Sequence, residues 1–161
     1  MAPESGKKQH RIEPIGVIRS PFKAKAECPI QFSYSVSEGT VTVFDRYEKG
    51  LKDIEGFSHL FLLYLFDRAA DTKMVRPTFL DDSPHGIFAC RHPGRPNNIG
   101  ISIVRLLGRK GNFLKIDGVD VLDHTPLLDI KPYIPRFDSI AAASEGWLAG
   151  KSLRPKPAGR E

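Results

Sequence analysis

The chain has 161 residues, which is enough for one sizeable hydrophobic core and too few for two ordinary domains. A composition of 40% hydrophobic and 27% charged residues is typical of a folded protein and argues against wholesale disorder. The net charge of +5 is compatible with a polyanionic partner such as RNA, although much of it lies in the two terminal segments. The sequence has no apolar run long enough for a membrane helix and no signal core, so we predict a cytoplasmic protein without a membrane segment.

Strands dominate the predicted elements. In chain order, alternating or apolar runs predict strands at 12–19, 40–44, 57–66, 86–91, 99–109 and 113–122. Segment 57–66 is apolar and aromatic, so we expect a central strand that is buried on both faces. Short helices are predicted after Asp45, which has capping-box spacing to Glu48, and within 139–148.

The order of these elements predicts a mainly β fold. Strands do not alternate with helices, and no glycine fingerprint joins a strand to a helix, so a doubly wound sheet is excluded. We expect a β-barrel with one or two short helices, with a β-sandwich as the alternative. The predicted organisation is a flexible segment at 1–10, the barrel domain at 11–138 and a tail at 139–161 that contains the second helix.

The segment GIFACRHPGRPNNIGIS, residues 86–102, combines two arginines with a loop that proline stiffens. Arg91 and Arg95 alternate with Pro93 and Pro96 in this loop. A planar guanidinium donates two parallel hydrogen bonds, so paired arginines on a rigid loop suit a carboxylate or a phosphate. The alternative is that both arginines pair with surface acids.

The segment DGVDVLDHTPLLDIKPYIP, residues 117–135, is otherwise apolar but carries four aspartates. They are Asp117, Asp120, Asp123 and Asp129. Such carboxylates accept hydrogen bonds from ribose hydroxyls or an amine, or they hold a cation. The spacing does not resemble a calcium loop, and Cys28 and Cys90 stand alone, so we predict no metal site. The alternative is that the aspartates cap turns and pair with Lys131 and Arg136.

Four runs together resemble one protein family. They are IGVIRSPF at 15–22, GFSHLFLLYLF at 56–66, and the two segments 86–102 and 117–135. The chain resembles the TsaA-like (YaeB/TrmO) family, whose members use S-adenosylmethionine to methylate N6 of the modified adenine beside the anticodon of tRNA. The resemblance implies a single-sheeted β-barrel, a homodimer and a cofactor, S-adenosylmethionine, bound near the subunit interface.

The resemblance also implies which residues contact S-adenosylmethionine. They come from the first long loop, the end of the central strand, the arginine-proline loop and the aspartate-rich segment: Pro29, Ile30, Gln31, Asp67, Arg68, Arg91, Ile101, Asp117, Gly118, Val119 and Asp120.

Methylation of an adenine amine makes a further demand on the site. The lone pair of this amine is delocalised into the ring, so a polar group must orient the amine and take its proton. We predict Asp129 and Tyr133 for this catalytic role; the alternative is that Asp129 pairs with Lys131 and that Tyr133 is structural. Arg95, Asn97 and Lys131 are the predicted contacts to tRNA. Two other functions stay open, namely methylation of another substrate and S-adenosylmethionine binding without catalysis.

Overall fold

A computed structural model describes residues 9–31 and 35–155, so residues 1–8 of the predicted flexible segment 1–10 lie outside the described residues. Strands make up most of the regular structure. In chain order they are β1 (Gly16–Arg19), β2 (Glu38–Val43), β3 (His59–Leu65), β4 (Val75–Pro77), β5 (Pro84–Gly86), β6 (Ile99–Lys110), β7 (Phe113–Asp117) and β8 (Thr125–Pro132). Helical structure in this part of the chain consists of one α-helical turn, α1 (Pro135–Asp138), and short 3-10 turns at 25–27, 45–51, 54–56, 87–89 and 146–148.

Six of these strands close into one antiparallel barrel. Their order is β1-β2-β7-β6-β3-β8, and β8 pairs back to β1. The strands β4 and β5 form a separate two-stranded hairpin. The predicted single-sheeted β-barrel is therefore confirmed, and the sandwich is excluded because the six strands form one closed sheet.

The core of the protein is the interior of this barrel. In β3, Leu60, Leu62 and Tyr64 are buried, whereas Phe61 and Leu63 on the outer face are only half-buried. The prediction that this strand is buried on both faces is wrong, because the closed barrel has a single interior and the outer face is only partly covered.

Residues 86–91 do not form the predicted strand. The strand β5 ends at Gly86, and a 3-10 turn covers 87–89. In the described residues β5 pairs only with the three-residue strand β4. The hydrogen-bonded ladder between these two strands ends at the Val75–Gly86 pair. Ile87 then turns into a buried position, where its N–H donates to the carbonyl of Met74 at 2.9 Å.

The predicted helices are also shorter than expected. Asp45 does not cap a helix, because its carboxylate accepts a hydrogen bond from Nδ2 of Asn112 at 2.9 Å, and the segment forms a 3-10 turn. Within 139–148 only residues 146–148 are helical. The strand β8 was not predicted, because prolines at 126 and 132 are unfavourable in a central strand.

Gly100 gives the Tyr64 ring room inside the barrel. A Cβ atom at residue 100 would lie 2.2 Å from Cε2 of Tyr64 and 2.8 Å from Cε2 of Phe66. We expect Gly100→Ala to lower the free energy of unfolding by about 1–2 kcal/mol, because both rings must move. Urea unfolding measures this, and Gly108→Ala in the same strand, where a Cβ meets open space, is the matched control. Equal stability of the two variants would contradict the prediction.

Candidate functional site

Tyr64, Ser102 and Asp120 form a chain of hydrogen bonds at one end of the barrel. We call this end the upper mouth; it is where β3 ends at Leu65 and β6 begins at Ile99. The Tyr64 hydroxyl lies 2.8 Å from Oγ of Ser102, which donates to Oδ1 of Asp120 at 2.5 Å. Since the Ser102 proton goes to the carboxylate, the Tyr64 hydroxyl is the donor to Ser102.

The buried Tyr64 hydroxyl also shows which groups surround the upper mouth. Burial raises the pKa of Tyr64 above its usual value, and the Asp120 carboxylate raises it further. Cys28 adds to this rise and Arg91 opposes it, so both lie within electrostatic range of the hydroxyl. The hydroxyl therefore stays protonated, and the segments that carry Cys28 and Arg91 both border the upper mouth.

Removal of the Ser102 hydroxyl tests whether this network stabilises the barrel. We expect Ser102→Ala to lower the free energy of unfolding by about 2 kcal/mol, because the buried Tyr64 hydroxyl loses its partner. Tyr64→Phe removes one hydrogen bond without leaving a buried hydroxyl unpaired, so it should cost only about 1 kcal/mol. Urea unfolding of both variants measures the difference. A Ser102→Ala protein with wild-type stability would show that the network contributes nothing.

Arg91 connects the arginine-proline loop to the first long loop. Its Nη1 donates to Oε1 of Gln31 at 2.9 Å. Arg91 is exposed, whereas Pro29, Ile30 and Gln31 are half-buried. The amide of Gln31 carries no charge, so this contact does not neutralise the guanidinium, which remains suited to a carboxylate or phosphate.

The segment that precedes Asp120 is hydrogen-bonded to the chain just before β2. The N–H groups of Gly118 and Val119 donate to the carbonyl of Ser37 at 3.1 and 3.2 Å. Gly118 has a φ of +88°, a left-handed conformation that favours glycine. The Asp117 carboxylate accepts from the Gly118 N–H at 3.0 Å. Three of the four predicted residues, Asp117, Gly118 and Val119, are therefore tied by hydrogen bonds to one another or to Ser37, and Asp120 is tied to Ser102.

Asp67 and Arg68 follow β3 at the same mouth. They form an exposed ion pair, with Nε of Arg68 3.2 Å from Oδ1 of Asp67. Nη2 of Arg68 also donates to Oγ1 of Thr125, the first residue of β8, at 3.3 Å. Exposed ion pairs contribute little to stability, so we assign this pair no structural role.

His92 fixes the shape of the loop that follows Arg91. Its Nδ1 accepts from the N–H of Gly94 at 2.9 Å and from the guanidinium of Arg76. Burial and then the positive charge of Arg76 lower the pKa of His92 to about 4. The imidazole is therefore neutral at pH 7, which leaves Nδ1 free to accept both hydrogen bonds.

The three predicted tRNA contacts have different surroundings. Nη1 of Arg95 donates to the carbonyl of Cys90 at 3.0 Å, so this guanidinium supports the loop internally. Asn97 is exposed at the loop surface. Lys131 pairs with Asp129 at 2.9 Å, which is the contact that the alternative interpretation expected.

Tyr133, one of the two predicted catalytic residues, lies away from the upper mouth of the same chain. The Tyr133 N–H donates to the carbonyl of His59 at 3.0 Å, and its ring packs against Phe61 at 5.5 Å. His59 begins β3 and Tyr64 lies five residues further on, which corresponds to about 16 Å along a strand. Asp129 lies on β8, opposite Leu63. One chain therefore does not bring Tyr133 together with Arg91 and Asp120.

Ile101 shares the outer face of the barrel with Asp129. In the register of the sheet, Ile101 and Asp129 are the two cross-strand neighbours of Leu63. Two strand spacings separate them, which is about 10 Å. A predicted cofactor contact and a predicted catalytic residue therefore lie on one outer surface.

A concave surface lies elsewhere on the protein. This cleft has a volume of about 540 Å³, and its walls include Tyr47, Leu51, Phe57 and Asp129. Its lining is largely apolar, whereas the upper mouth combines an exposed guanidinium, a carboxylate and a tyrosine with a raised pKa. Convergent polar groups of this kind mark functional sites, so we place the candidate site at the upper mouth.

The sequence interpretation missed Tyr64 and Ser102. Both stand in apolar strands, and a hydroxyl in such a run must find a buried partner. The unused signal was therefore the isolated polar atom within LLYLF and GIS.

Within residues 9–31 and 35–155, no cluster of three or more His, Cys, Asp or Glu side chains is arranged to hold a metal ion. The same part of the chain contains no helix of the length and apolarity that a membrane crossing requires.

Comparison with known proteins identifies the family. Residues 17–139 match the family model of the tRNA-methyltransferase O N-terminal domain. A Pyrococcus abyssi protein named as a probable S-adenosyl-L-methionine-binding protein is 54% identical over 136 residues, which are 84% of this chain and 74% of the relative. The tRNA (adenine(37)-N6)-methyltransferase of Mus musculus is 38% identical over 135 residues, which are 79% of this chain and 31% of the mouse protein.

Crystal structures of TrmO have the same fold. One superposes with a TM-score of 0.76 at 40% identity and covers 86% of this chain, and TrmO from Pseudomonas aeruginosa superposes with 0.73 at 38% identity over 86%. This chain spans 64% and 62% of those two TrmO chains. The family model covers most of the barrel and both segments that border the upper mouth, so the chain belongs to the tRNA-methyltransferase O N-terminal domain family.

Proposed function

We propose that this protein binds S-adenosylmethionine at the upper mouth and transfers its methyl group to N6 of the modified adenine beside the anticodon of tRNA. The observation that carries the proposal is that Arg91, which is hydrogen-bonded to Gln31, lies within electrostatic range of the buried Tyr64 hydroxyl, and that Ser102 links this hydroxyl to Asp120. The named activity of the mouse relative supports the reaction class. A tRNA substrate also favours a cytoplasmic location.

The residues at the upper mouth fit the parts of S-adenosylmethionine. Arg91 suits its carboxylate, because a guanidinium binds a carboxylate through two parallel hydrogen bonds. Asp120 suits a ribose hydroxyl or the amino group, since its carboxylate accepts from both. Ile101, which is 47% exposed, offers an apolar surface to the adenine ring. We also propose contacts from the rest of the predicted set: Pro29, Ile30, Asp67, Arg68, Asp117, Gly118 and Val119.

When bound, S-adenosylmethionine supplies an electrophilic methyl group that leaves its sulfur as the amine nitrogen attacks. The protein contributes mainly position, because an in-line displacement requires the two reactants to be aligned. We propose that Arg91 and Asp120 hold S-adenosylmethionine in position. The Tyr64–Ser102 pair holds the Asp120 carboxylate, since Ser102 donates to Oδ1. The acceptor amine loses one proton, and we propose that Asp129 and Tyr133 orient the amine and accept this proton. We propose Arg95, Asn97 and Lys131 as contacts to the RNA.

We also infer that the protein is a homodimer. An outer apolar face consists of three cross-strand pairs of β3 and β6, namely Phe61–Ile103, Leu63–Ile101 and Leu65–Ile99. Ile99 is 37% and Ile101 is 47% exposed, and a contiguous apolar patch of this kind is typical of a protein interface. Asp129 neighbours Leu63 on this face, so a dimer formed through this face would place the Asp129 of each copy at the interface.

A charge on the outer apolar face tests the dimer. We expect the wild type to sediment as a dimer and Ile101→Glu as a monomer, because an interface excludes an unpaired carboxylate. Leu107→Glu is the matched control on the same strand, since Leu107 is 39% exposed but lies outside the outer apolar face. Analytical ultracentrifugation measures both. A monomeric wild type at tens of micromolar, or a dimeric Ile101→Glu, would rule out this interface.

Incubation with methyl-labelled S-adenosylmethionine tests the reaction. The acceptor is total tRNA from a strain that lacks its own enzyme of this family. Label in tRNA supports the proposal, whereas label only in a small-molecule extract selects methylation of another substrate. Cofactor binding without transfer selects a binding protein, a function that the names of several relatives favour.

A further inference from the structure

The chain beyond the barrel returns to a segment that leads to Arg91. We call residues 146–154 the C-terminal strap. The Trp147 ring stacks on the His85 ring, with centroids 3.9 Å apart and planes at 13°. Its Nε1 donates to the carbonyl of Ala89 at 2.8 Å. The strap lies outside residues 17–139, which the family model matches.

Two cations of the strap make further contacts with the same segment. Nζ of Lys151 lies 3.0 Å from Oδ2 of Asp81. Arg154 donates through Nε to the carbonyl of Phe79 at 2.6 Å and through Nη2 to Asp82 at 3.0 Å. The strap is therefore tied to residues 79–89 by one aromatic stack, two ion pairs and two hydrogen bonds to main-chain carbonyls.

This segment needs support from outside. The β4–β5 hairpin has only three residues in each strand, and a two-stranded hairpin is at best marginally stable in water. Ala89 lies two residues before Arg91, and Trp147 holds its carbonyl. Arg95 holds the next carbonyl, that of Cys90, at 3.0 Å. The backbone that leads into Arg91 is thus fixed from two sides.

We propose that the C-terminal strap holds Arg91 in its binding position, and that Trp147 is a positioning residue that sets the affinity for S-adenosylmethionine. This inference rests on the proposed function. A ligand that binds Arg91 must in turn favour the docked strap, because coupling between two sites is reciprocal. Trp147 is the only tryptophan of the chain, so its fluorescence reports the strap directly.

Calorimetry on the full chain tests this proposal with three variants. We expect Trp147→Ala to raise the Kd for S-adenosylmethionine about tenfold. Trp147→Phe keeps a stacking ring and loses only the Nε1 hydrogen bond, so its Kd should rise about threefold. Phe137→Ala removes an aromatic residue that is 71% exposed and outside the strap, and its Kd should equal that of the wild type.

The expected kinetic signature of Trp147→Ala is a raised KM for S-adenosylmethionine with kcat within about twofold of the wild type, since Trp147 does not touch the reacting atoms.

Amide exchange without ligand separates the strap from the proposed function. We expect Trp147→Ala to exchange faster at residues 84–95 and at wild-type rates in β7, which lies on the barrel. A folded Trp147→Ala that binds S-adenosylmethionine as the wild type does would overturn the proposal, whatever its exchange. A wild type that does not bind S-adenosylmethionine would overturn the proposed function and also the link between Trp147 and that ligand. This holds even if faster exchange at residues 84–95 shows that the strap holds the loop.

Discussion

Arg91→Ala should weaken S-adenosylmethionine binding by about a hundredfold, which corresponds to about 2.7 kcal/mol. The exposed guanidinium borders the upper mouth, and its hydrogen-bond partner Gln31 is uncharged. A carboxylate that loses a bidentate guanidinium loses two charge-assisted hydrogen bonds at once. Isothermal calorimetry with S-adenosylmethionine measures the change, and thermal unfolding verifies that the variant is folded.

Two further variants separate geometry from charge at this position. Arg91→Lys keeps the positive charge but loses the planar fork, so its affinity should lie between those of the wild type and Arg91→Ala. Arg136→Ala removes an exposed arginine from α1 and should bind as the wild type does. Normal affinity in Arg91→Ala would show that another group binds the carboxylate.

Asp123→Ala should lower the free energy of unfolding by about 3 kcal/mol. Asp123 is 5% exposed, and its carboxylate accepts from the Ser20 N–H at 3.1 Å. It also pairs with Arg19 at 3.2 Å, with His124 at 3.0 Å and with Lys23. These bonds tie the end of β1 to the turn at residues 123–124. Urea unfolding measures the loss, and Lys23→Met, which removes one exposed partner, should cost less than about 1 kcal/mol.

Acid gives an independent test of the same carboxylate. Burial of Asp123 raises its pKa, but the hydrogen bonds from Lys23 and Ser20 and the nearby charges of Lys23 and His124 outweigh burial and lower it below the usual range. A carboxylate with a lowered pKa stabilises the fold above its unfolded pKa of about 4, and this contribution is lost as the pH falls toward the folded pKa. The Tm difference between wild type and Asp123→Ala should therefore be smaller below about pH 4 than at about pH 5. A difference that does not narrow in acid would assign the stability to packing.

The barrel was predictable because its strands carry local signals. β2 alternates in burial as the sequence alternates, and the long β6 runs into the turn at Gly111 and Asn112. β8 was missed because strand pairing, which is a long-range property, overrides the poor strand propensity of its prolines. The outer face of β3 was expected to be buried but is only partly covered. An apolar run in the sequence does not distinguish a strand of a closed barrel from a central strand of an open sheet covered on both faces.

The candidate site was predictable only in part. The arginine-proline loop and the aspartate-rich segment do border one mouth, but the contact between Arg91 and Gln31 joins residues 60 positions apart. No local pattern reveals such a pairing. The aspartates differ in role. Asp120 accepts a hydrogen bond in the Tyr64–Ser102 network, which agrees with the ligand-binding interpretation. Asp123 stabilises a turn, which agrees with the structural alternative. The aspartates look alike in the sequence because their roles depend on which neighbours the fold supplies.

The fold explains why the usual nucleotide signature is missing. A doubly wound sheet binds its cofactor at a glycine-rich turn before a helix, and no such turn occurs in this sequence. In the described part of the chain the polar groups instead come from loops at one barrel mouth, with a buried tyrosine and serine as support. Loops held by a rigid barrel can position a ligand without that fingerprint.

A crystal structure with S-adenosylhomocysteine, the demethylated product of the cofactor, tests the central claim most directly. The proposed site predicts that the ligand lies at the upper mouth, with its carboxylate on the Arg91 guanidinium and a hydroxyl or amine on Asp120. Density for the ligand in the cleft beside Tyr47, or at any place where it contacts neither Arg91 nor Asp120, would contradict the assignment of the upper mouth as the methyl-donor site.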